Sequence, residues 1–458
     1  MIPVNNPLPA PRRFTVRETR IATVIAFFAW AVAVYDFIMF GTLLPVIKED
    51  FGWSESQALF VHTLTTLGGA IVVFVLGPLV DRFGRRRGMM LTVAGTAVSS
   101  GLTALATNIA AMVGIRSISG LGLAEQSVNA TYLNEVYELT EDEKARRNKG
   151  FFYSFVQSGW PVGALIASAF VSIVAGIFGA NEWRLTFLLA TIPGLLILWI
   201  RRSLRESPQF EATKEIRRLK EAGQAEQAEL LARQFGIDTS VGAPLKAIFT
   251  GRRLRNTLVL GGAFFLNWFA VQSFSVLATT VLTSAKGLEF SVVTPLLVIA
   301  NLVGAAGYLF FGWAGDRWGR RNLIGLGWIA ASGLFAALLL IDMPVPMTVV
   351  IYSLGLFCLL GPAAALFFYI AECYDAACRA TGGTFILAVS QPGAVLAGFL
   401  LSGLIAAGLD INISFTLVGV LGCLASGLLV FAAHSIKEPE AKHSLHHPHK
   451  PHSELENQ

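Results

Sequence analysis

Twelve times this chain runs for about 20 residues or more with few charges, and between the runs it turns sharply polar. The runs cover about 21–47, 57–80, 88–107, 110–136, 150–177, 183–200, 256–284, 290–313, 322–341, 346–371, 380–407 and 412–434. An α-helix needs this length to cross the hydrocarbon of a bilayer, where each backbone N–H and C=O must find its partner within the segment. The fold class expected is therefore an all-α integral membrane protein with twelve transmembrane helices. Composition agrees, with 54% hydrophobic and only 14% charged residues against about 25% charged in a soluble domain. The N-terminus is polar and Pro-rich and the first apolar run is too long for a leader's core, so no cleaved signal peptide is expected.

The chain also repeats itself. GPLVDRFGRRR, from Gly77 to Arg87, returns as GWAGDRWGRR from Gly312 to Arg321, 235 residues further along a chain of 458. Each copy is a short Gly-rich turn with Asp and Arg between two apolar runs. YLNEVYE, with Tyr132 and Glu135, returns as YIAECYD, with Tyr369 and Glu372, 237 residues later. Gln157 in QSG and Gln391 in QPG lie 234 apart. Nearly constant offsets of half the chain imply a duplication, six helices plus six in two pseudo-symmetric halves. The organisation expected is an N-tail (1–20), a first half (21–200), a polar link with amphipathic helix (201–255), a second half (256–434) and a His-rich tail (435–458).

Of 35 Lys and Arg, 31 fall in the termini and in the loops after helices 2, 4, 6, 8 and 10. Lys48, Arg184 and Lys286 lie on the other side, and Arg116 lies within helix 4. This asymmetry predicts cytoplasmic termini and a cytoplasmic link in a plasma (inner) membrane protein. It also explains the net charge of +5 without a nucleic-acid partner, since the basic residues are orientation signals in loops. The four cysteines lack the paired spacing of a disulfide or zinc framework, and the tail KHSLHHPHKPH reads as solvated rather than metal-binding. No metal, cofactor or enzymatic constellation is expected.

Ionisable groups within hydrocarbon are costly and usually functional. Asp36 lies midway along helix 1, Arg116 near the start of helix 4 with Glu125 and Asn129 after it, and His62 near the outer end of helix 2. A carboxylate and a guanidinium on neighbouring helices form a proton switch: pairing keeps the acid ionised, and separation into an apolar site favours its neutral form. Asp36 and Arg116 are the candidate pair, with a structural ion pair or direct anion binding by Arg116 as the alternatives. Glu125 is nine residues from Arg116, which puts it on the opposite face of a straight helix unless the stretch SGLGLA bends it. It is kept as a third proton-coupling candidate.

With these residues in view the chain resembles the major facilitator superfamily over all twelve helices. The family's G-x-x-x-D-R-x-G-R-R loop is matched by Gly77, Asp81, Arg82, Gly84, Arg85 and Arg86, and again by Gly312, Asp316, Arg317, Gly319, Arg320 and Arg321. The resemblance implies a cytoplasmic gate at these loops, to which Glu135, Glu372 and Arg379 are added. An Asp and Arg at helix ends pair with facing termini in one state of a carrier and separate in the other. RSISGLGLAEQSVNATYLNEVY and FFLNW resemble helices 4 and 7 of the aromatic acid:proton symporters, while YDFIMFG and RESPQF resemble the metabolite:proton symporters. One departure is clear: the two acids of the aromatic-acid pattern in helix 1 are here Ala33 and Asp36.

What the resemblance implies is a secondary active carrier, a proton-coupled importer of a small organic anion by alternating access. The anion is a carboxylate in this reading, with aromatic acids among the options, and a monomer is the default. Candidate substrate contacts are Arg116, Asn129, Gln157, Trp160, Asn267, Gln272, Tyr369 and Gln391, each equally able to serve as interhelical packing. A sugar or polyol porter is the alternative, supported by E-S-P after helix 6 and by Glu135 and Glu372. A proton-driven exporter is the other, with GWPVG in helix 5 in its favour.

Overall fold

The computed structural model describes residues 13–202, 204–234, 248–374 and 379–434, apart from the side chains at 76–83, Gly150, Ser154, Pro208, Arg252, Asp316, Ala371, Arg379 and Ala380. Helix 1 is Val16–Phe51, helix 2 Glu55–Phe83 and helix 3 Arg85–Thr103. Helix 4 is broken into Ile109–Ile118 and Gly120–Glu138, helix 5 into Lys149–Gln157 and Gly159–Phe178, and helix 6 is Trp183–Arg201. Two link helices follow, Pro208–Glu221 and Ala225–Gln234. Helix 7 is Gly251–Val271, continued by π-turns at Gln272–Val276 and Val281–Ala285, and helix 8 is Phe290–Trp318. Helix 9 is Arg320–Leu340, helix 10 Val345–Leu360 plus Pro362–Cys373, helix 11 Arg379–Ala406, and helix 12 runs from Ile411 to Val430 through a π-turn. Ten of these are long and apolar enough to cross a membrane by length and composition alone, among the described residues. Helix 3 and the broken helix 4 complete the twelve of the fold.

Helix 1 starts earlier than its apolar run does. Thr15 accepts from the Glu18 amide while the Glu18 carboxylate accepts from the Thr15 amide, a capping box that starts the helix at Val16. Phe14 pairs with Thr140 and is buried, so residues 13–20 are part of the packed structure. The two hairpin glycines carry positive φ, 106° at Gly84 and 85° at Gly319, in the region where a side chain is strained. They end helices 2 and 8 and let helices 3 and 9 start at once.

The duplication is visible in contacts as well as in sequence. Arg85 Nε donates to Glu135 Oε1 at 3.2 Å, and Arg320 pairs with Glu372 at the equivalent place. Arg86 Nη2 donates to the Arg202 carbonyl at 2.7 Å, just past the end of helix 6, and Arg321 Nη1 to the Ala433 carbonyl at 3.2 Å, just past the end of helix 12. A cation at a helix C-terminus satisfies orphan carbonyls and opposes the helix dipole. Each half thus has its own charged clamp on the face that carries the hairpins. On the outside of the bundle, Phe74, Leu309 and Leu105 are largely exposed, an apolar surface that fits lipid rather than water.

The halves are hydrogen-bonded to each other at the opposite, far face. Ser56 and Ser402 exchange hydrogen bonds with each other's carbonyls, both at 3.0 Å. Ser284 donates to Glu55 at 3.0 Å, and Thr279 donates to the Gly41 carbonyl at 3.0 Å. A Cβ on Gly41 would overlap the Val276 carbonyl, so only glycine lets helices 1 and 7 cross this closely.

Candidate functional site: the buried pair and the aromatic seam

Helices 2 and 4 touch backbone to backbone where Gly69 faces Gly120, and a Cβ on Gly120 would overlap Gly69. The break in helix 4 lies at this crossing, at Ser119, whose hydroxyl donates to the Arg116 carbonyl at 2.6 Å. Arg116, in the last turn before the break, reaches helix 1. Its Nη1 donates to Asp36 Oδ1 at 3.1 Å and its Nη2 to the Asp36 carbonyl at 3.1 Å, with both residues 2% exposed. Ser100 of helix 3 also donates to Asp36 Oδ1. Asp36 Oδ2 and Arg116 Nε have no hydrogen-bond partner. The guanidinium carbon lies 4.9 Å from the Phe40 ring centre and 5.3 Å from that of Phe187, within cation–π range. The expected pair of Asp36 and Arg116 is therefore assembled, in a buried, largely aromatic setting.

Glu125 and Asn129 are elsewhere. The break in helix 4 does not bring them round: Arg201 of helix 6 takes both Glu125 oxygens, Oε2 at 2.9 Å, and also donates to Asn129 Oδ1 and the Met89 carbonyl, at 2.9 and 2.6 Å. Thr92 donates to Glu125 as well, and Asn129 Nδ2 donates to the Ala26 carbonyl at 3.1 Å. This second buried pair sits among helices 1, 3, 4 and 6, inside the first half. Arg201 stands where the charge pattern predicts a cytoplasmic link, yet it is 1% exposed within helix 6. The only hint was that LLILWI runs into it without a break.

Gln157 accepts from Gln126 at 2.9 Å and donates to Tyr153 at 2.6 Å, which ties helix 5 to helix 4. Tyr369 donates to the His434 carbonyl at the hairpin face. Gln391 is half-buried on helix 11, two residues before Gly393, whose Cβ would overlap the Phe265 carbonyl of helix 7. The gate candidates Arg85, Arg86, Glu135, Arg320 and Glu372 are brought together as described, while Arg317 is exposed against Trp313, 4.0 Å from its ring centre. Gly77 lies within helix 2, and the side chains of Asp81, Arg82, Asp316 and Arg379 lie outside what the structure describes.

Trp160 and Gln272 do lie between the halves, and Asn267 is buried on helix 7 beside Trp268. Trp160 meets Trp268 edge-on at 5.5 Å, and it also neighbours Trp30 at 6.1 Å and Phe37, next to Asp36, at 6.2 Å. Trp30 Nε1, Trp160 Nε1, Trp268 Nε1 and Asn267 Nδ2 are buried donors without partners. Asn301 of helix 8 donates to Ser168 of helix 5 across the same seam at 3.0 Å. Gln272, at the start of the π-turn in helix 7, meets His62 of helix 2, with its Nε2 3.3 Å from His62 Nδ1. An aromatic seam with idle N–H donors, adjoining a buried Arg–Asp pair, is chemically suited to a flat or polar anion.

The Major Facilitator Superfamily family model matches residues 22–397. Among characterised proteins, the sialic acid transporter NanX of Escherichia coli is 26% identical over 379 residues, 82% of this chain and 85% of its own length. The gentisate transporter of Corynebacterium glutamicum is 27% identical over 417 residues, 88% of this chain and 85% of its own. Among solved structures, the inward open conformation of the xylose transporter XylE from E. coli superposes with a TM-score of 0.68 at 16% identity, covering 92% of this chain and 97% of that one. The matched span takes in both hairpins and both Arg–Glu pairs, and the fold agrees over nearly its whole length; this chain is a member of the major facilitator superfamily of membrane transporters.

Proposed function

We propose that this transporter imports a small organic carboxylate together with a proton, by alternating access. The supporting observation is the buried pair of Asp36 and Arg116, with one carboxylate oxygen and one guanidinium N–H left without partners. A proton on Asp36 removes the charge that Arg116 is paired with, and an unpaired buried charge is strongly unfavourable. An incoming carboxylate replaces the lost counter-charge. Proton and anion then bind cooperatively, and a monoanion crosses with one proton without net charge. The gentisate and sialic acid named for two relatives are both carboxylic acids, which supports the class. Trp160 and Trp268 offer an aromatic acid two ring faces, and Asn267 offers its hydroxyls a donor.

In this account the hairpin face is cytoplasmic and the far face extracellular, in the plasma membrane, with the transport unit a single chain. The seals at Ser56–Ser402, Glu55–Ser284 and Gly41–Thr279 then close the outer side, and the Arg85–Glu135 and Arg320–Glu372 clamps form the cytoplasmic gate. Glu125 anchors helix 4 to helix 6, and Asp36 carries the proton. The sugar-porter alternative has in its favour Glu206 of the E-S-P stretch, which accepts from the Arg86 amide at 3.1 Å. Uptake of labelled benzoate, gentisate, N-acetylneuraminate and xylose into cells expressing the protein decides between them. Accumulation of an acid that is lost in Asp36→Asn supports the proposal; accumulation of xylose alone would replace it with the sugar reading.

A further inference from the structure

The most telling unused group is His62. It is 1% exposed and stacks on Phe40 with ring centres 5.3 Å apart and planes 10° from parallel, and the guanidinium of Arg116 lies against the same ring. Gln272 approaches it from the other half with an amide nitrogen, which carries N–H donors and no lone pair to offer. In this amide orientation, which leaves Gln272 Oε1 buried without a partner, His62 Nδ1 accepts and the proton of the neutral ring is on Nε2. Nε2 is buried and has no hydrogen-bond partner, and the same is true of Arg116 Nε. His62 and Arg116 line one cavity of ≈ 10 Å³, with Phe37, Phe40, Thr66 and Ser119, room for about one water or one oxygen atom. The hydroxyls at hand are engaged: Thr66 donates to the His62 carbonyl at 3.0 Å and Ser119 to the Arg116 carbonyl at 2.6 Å.

From this geometry we infer that His62 Nε2–H is a second donor to the carboxylate of the transported anion, beside Arg116, and that Gln272 is the positioning residue that fixes its tautomer. The inference rests on the carboxylate reading above and adds a physical link to it. His62 and Arg116 belong to the first half, whereas Gln272 sits on the π-turn of helix 7 in the second. A π-turn is a frequent mark of a functional position within a helix. When helices 1 and 7 part at the outer face, Gln272 withdraws and the ring is free to hold its proton on either nitrogen. The anion site has its full set of donors only when the two halves are closed over it. Closure is then favoured by the anion itself, since the ligand binds one state better than the other.

The test is equilibrium binding of gentisate, benzoate and N-acetylneuraminate to the purified full-length protein, read by calorimetry. Histidine tautomers are read alongside by nitrogen-15 spectroscopy of the same protein. His62→Phe keeps a ring on Phe40 but no N–H, and His62→Gln restores an N–H. A charge-assisted hydrogen bond of this kind is worth about 10-fold to 100-fold in affinity. The expected result is a loss of that size in His62→Phe, recovery of part of it in His62→Gln, and a Gln272→Leu protein that loses both affinity and the Nε2–H signal of His62. If His62→Phe binds the acids like wild type while Arg116→Gln does not, the second donor is refuted and the carboxylate reading stands. If wild-type protein binds none of the acids, both fall.

Discussion

Replacing Arg201 by Met should destabilise the first half far more than an ordinary loop substitution would. Arg201 supplies hydrogen bonds to both oxygens of Glu125, to Asn129 Oδ1 and to the Met89 carbonyl, all in a setting 1% exposed or less on its side and on that of Glu125. Without the guanidinium, Glu125 keeps only the Thr92 hydroxyl. Removing one member of a buried pair costs about 3–5 kcal/mol, because the other is left charged and unpaired. For a unit of 150–250 residues each kcal/mol moves the midpoint by ~2–4 °C, so purified Arg201→Met should melt roughly 6–20 °C below wild type. Glu125→Leu alone should do the same. The double variant Glu125→Leu with Arg201→Met should recover most of the loss, since packed apolar residues in place of a buried pair are often neutral. Melting curves of the four proteins in one detergent, read by tryptophan fluorescence, give the cycle. Single variants that melt with wild type would refute the anchoring role. So would a Glu125→Gln protein of normal stability that exchanges substrate but no longer accumulates it, which would return the proton to Glu125.

Three further outcomes follow from the same contacts. Arg85→Ala and Arg320→Ala, which each undo one hairpin-face clamp, should lower the uptake rate several-fold at equal surface expression and little change affinity, as a comparison of Vmax with KM would reveal. Ser56→Cys with Ser402→Cys in an otherwise cysteine-free protein should cross-link under mild oxidant, because the two hydroxyl oxygens are 3.4 Å apart; uptake should stop and return with reductant. Gly120→Val should abolish folded protein at the membrane, whereas Gly333→Val, with open space around it, should be tolerated; expression and gel filtration distinguish them.

The fold was legible because a bilayer leaves so few options. Twelve apolar runs dictate helices, and a half-chain repeat of Gly, Asp and Arg dictates a duplicated pair of bundles. The Asp36–Arg116 pair was legible for a related reason: charges in hydrocarbon are scarce, so two on adjacent helices have few partners to choose from. What sequence hid was rotation and depth. Glu125 and Asn129 share a helix with Arg116, yet they point at helix 6, and a 3.6-residue period read alone does not say which neighbour each face meets. Arg201 was masked by Arg202 beside it, since a positive doublet at the end of an apolar run reads as an interfacial anchor. Tyr369 and Gln157 are polar groups in greasy segments whose needs are met by a carbonyl and by other side chains close at hand. The role of His62 depended on Gln272, 210 residues away, and on a π-turn that no periodicity announces.

The central claim, that a carboxylate enters with a proton handled by Asp36, is tested most directly by the external pH of a lightly buffered suspension of vesicles carrying the protein. Benzoate, gentisate, N-acetylneuraminate or xylose is added to the outside, with Asp36→Asn vesicles in parallel. An electroneutral symport moves no current, so pH is the proper readout. The account predicts alkalinisation on adding an acid, weakening as the starting external pH is raised because the proton is a co-substrate, and absent with Asp36→Asn. Alkalinisation that persists in Asp36→Asn, or that only xylose elicits, would contradict it.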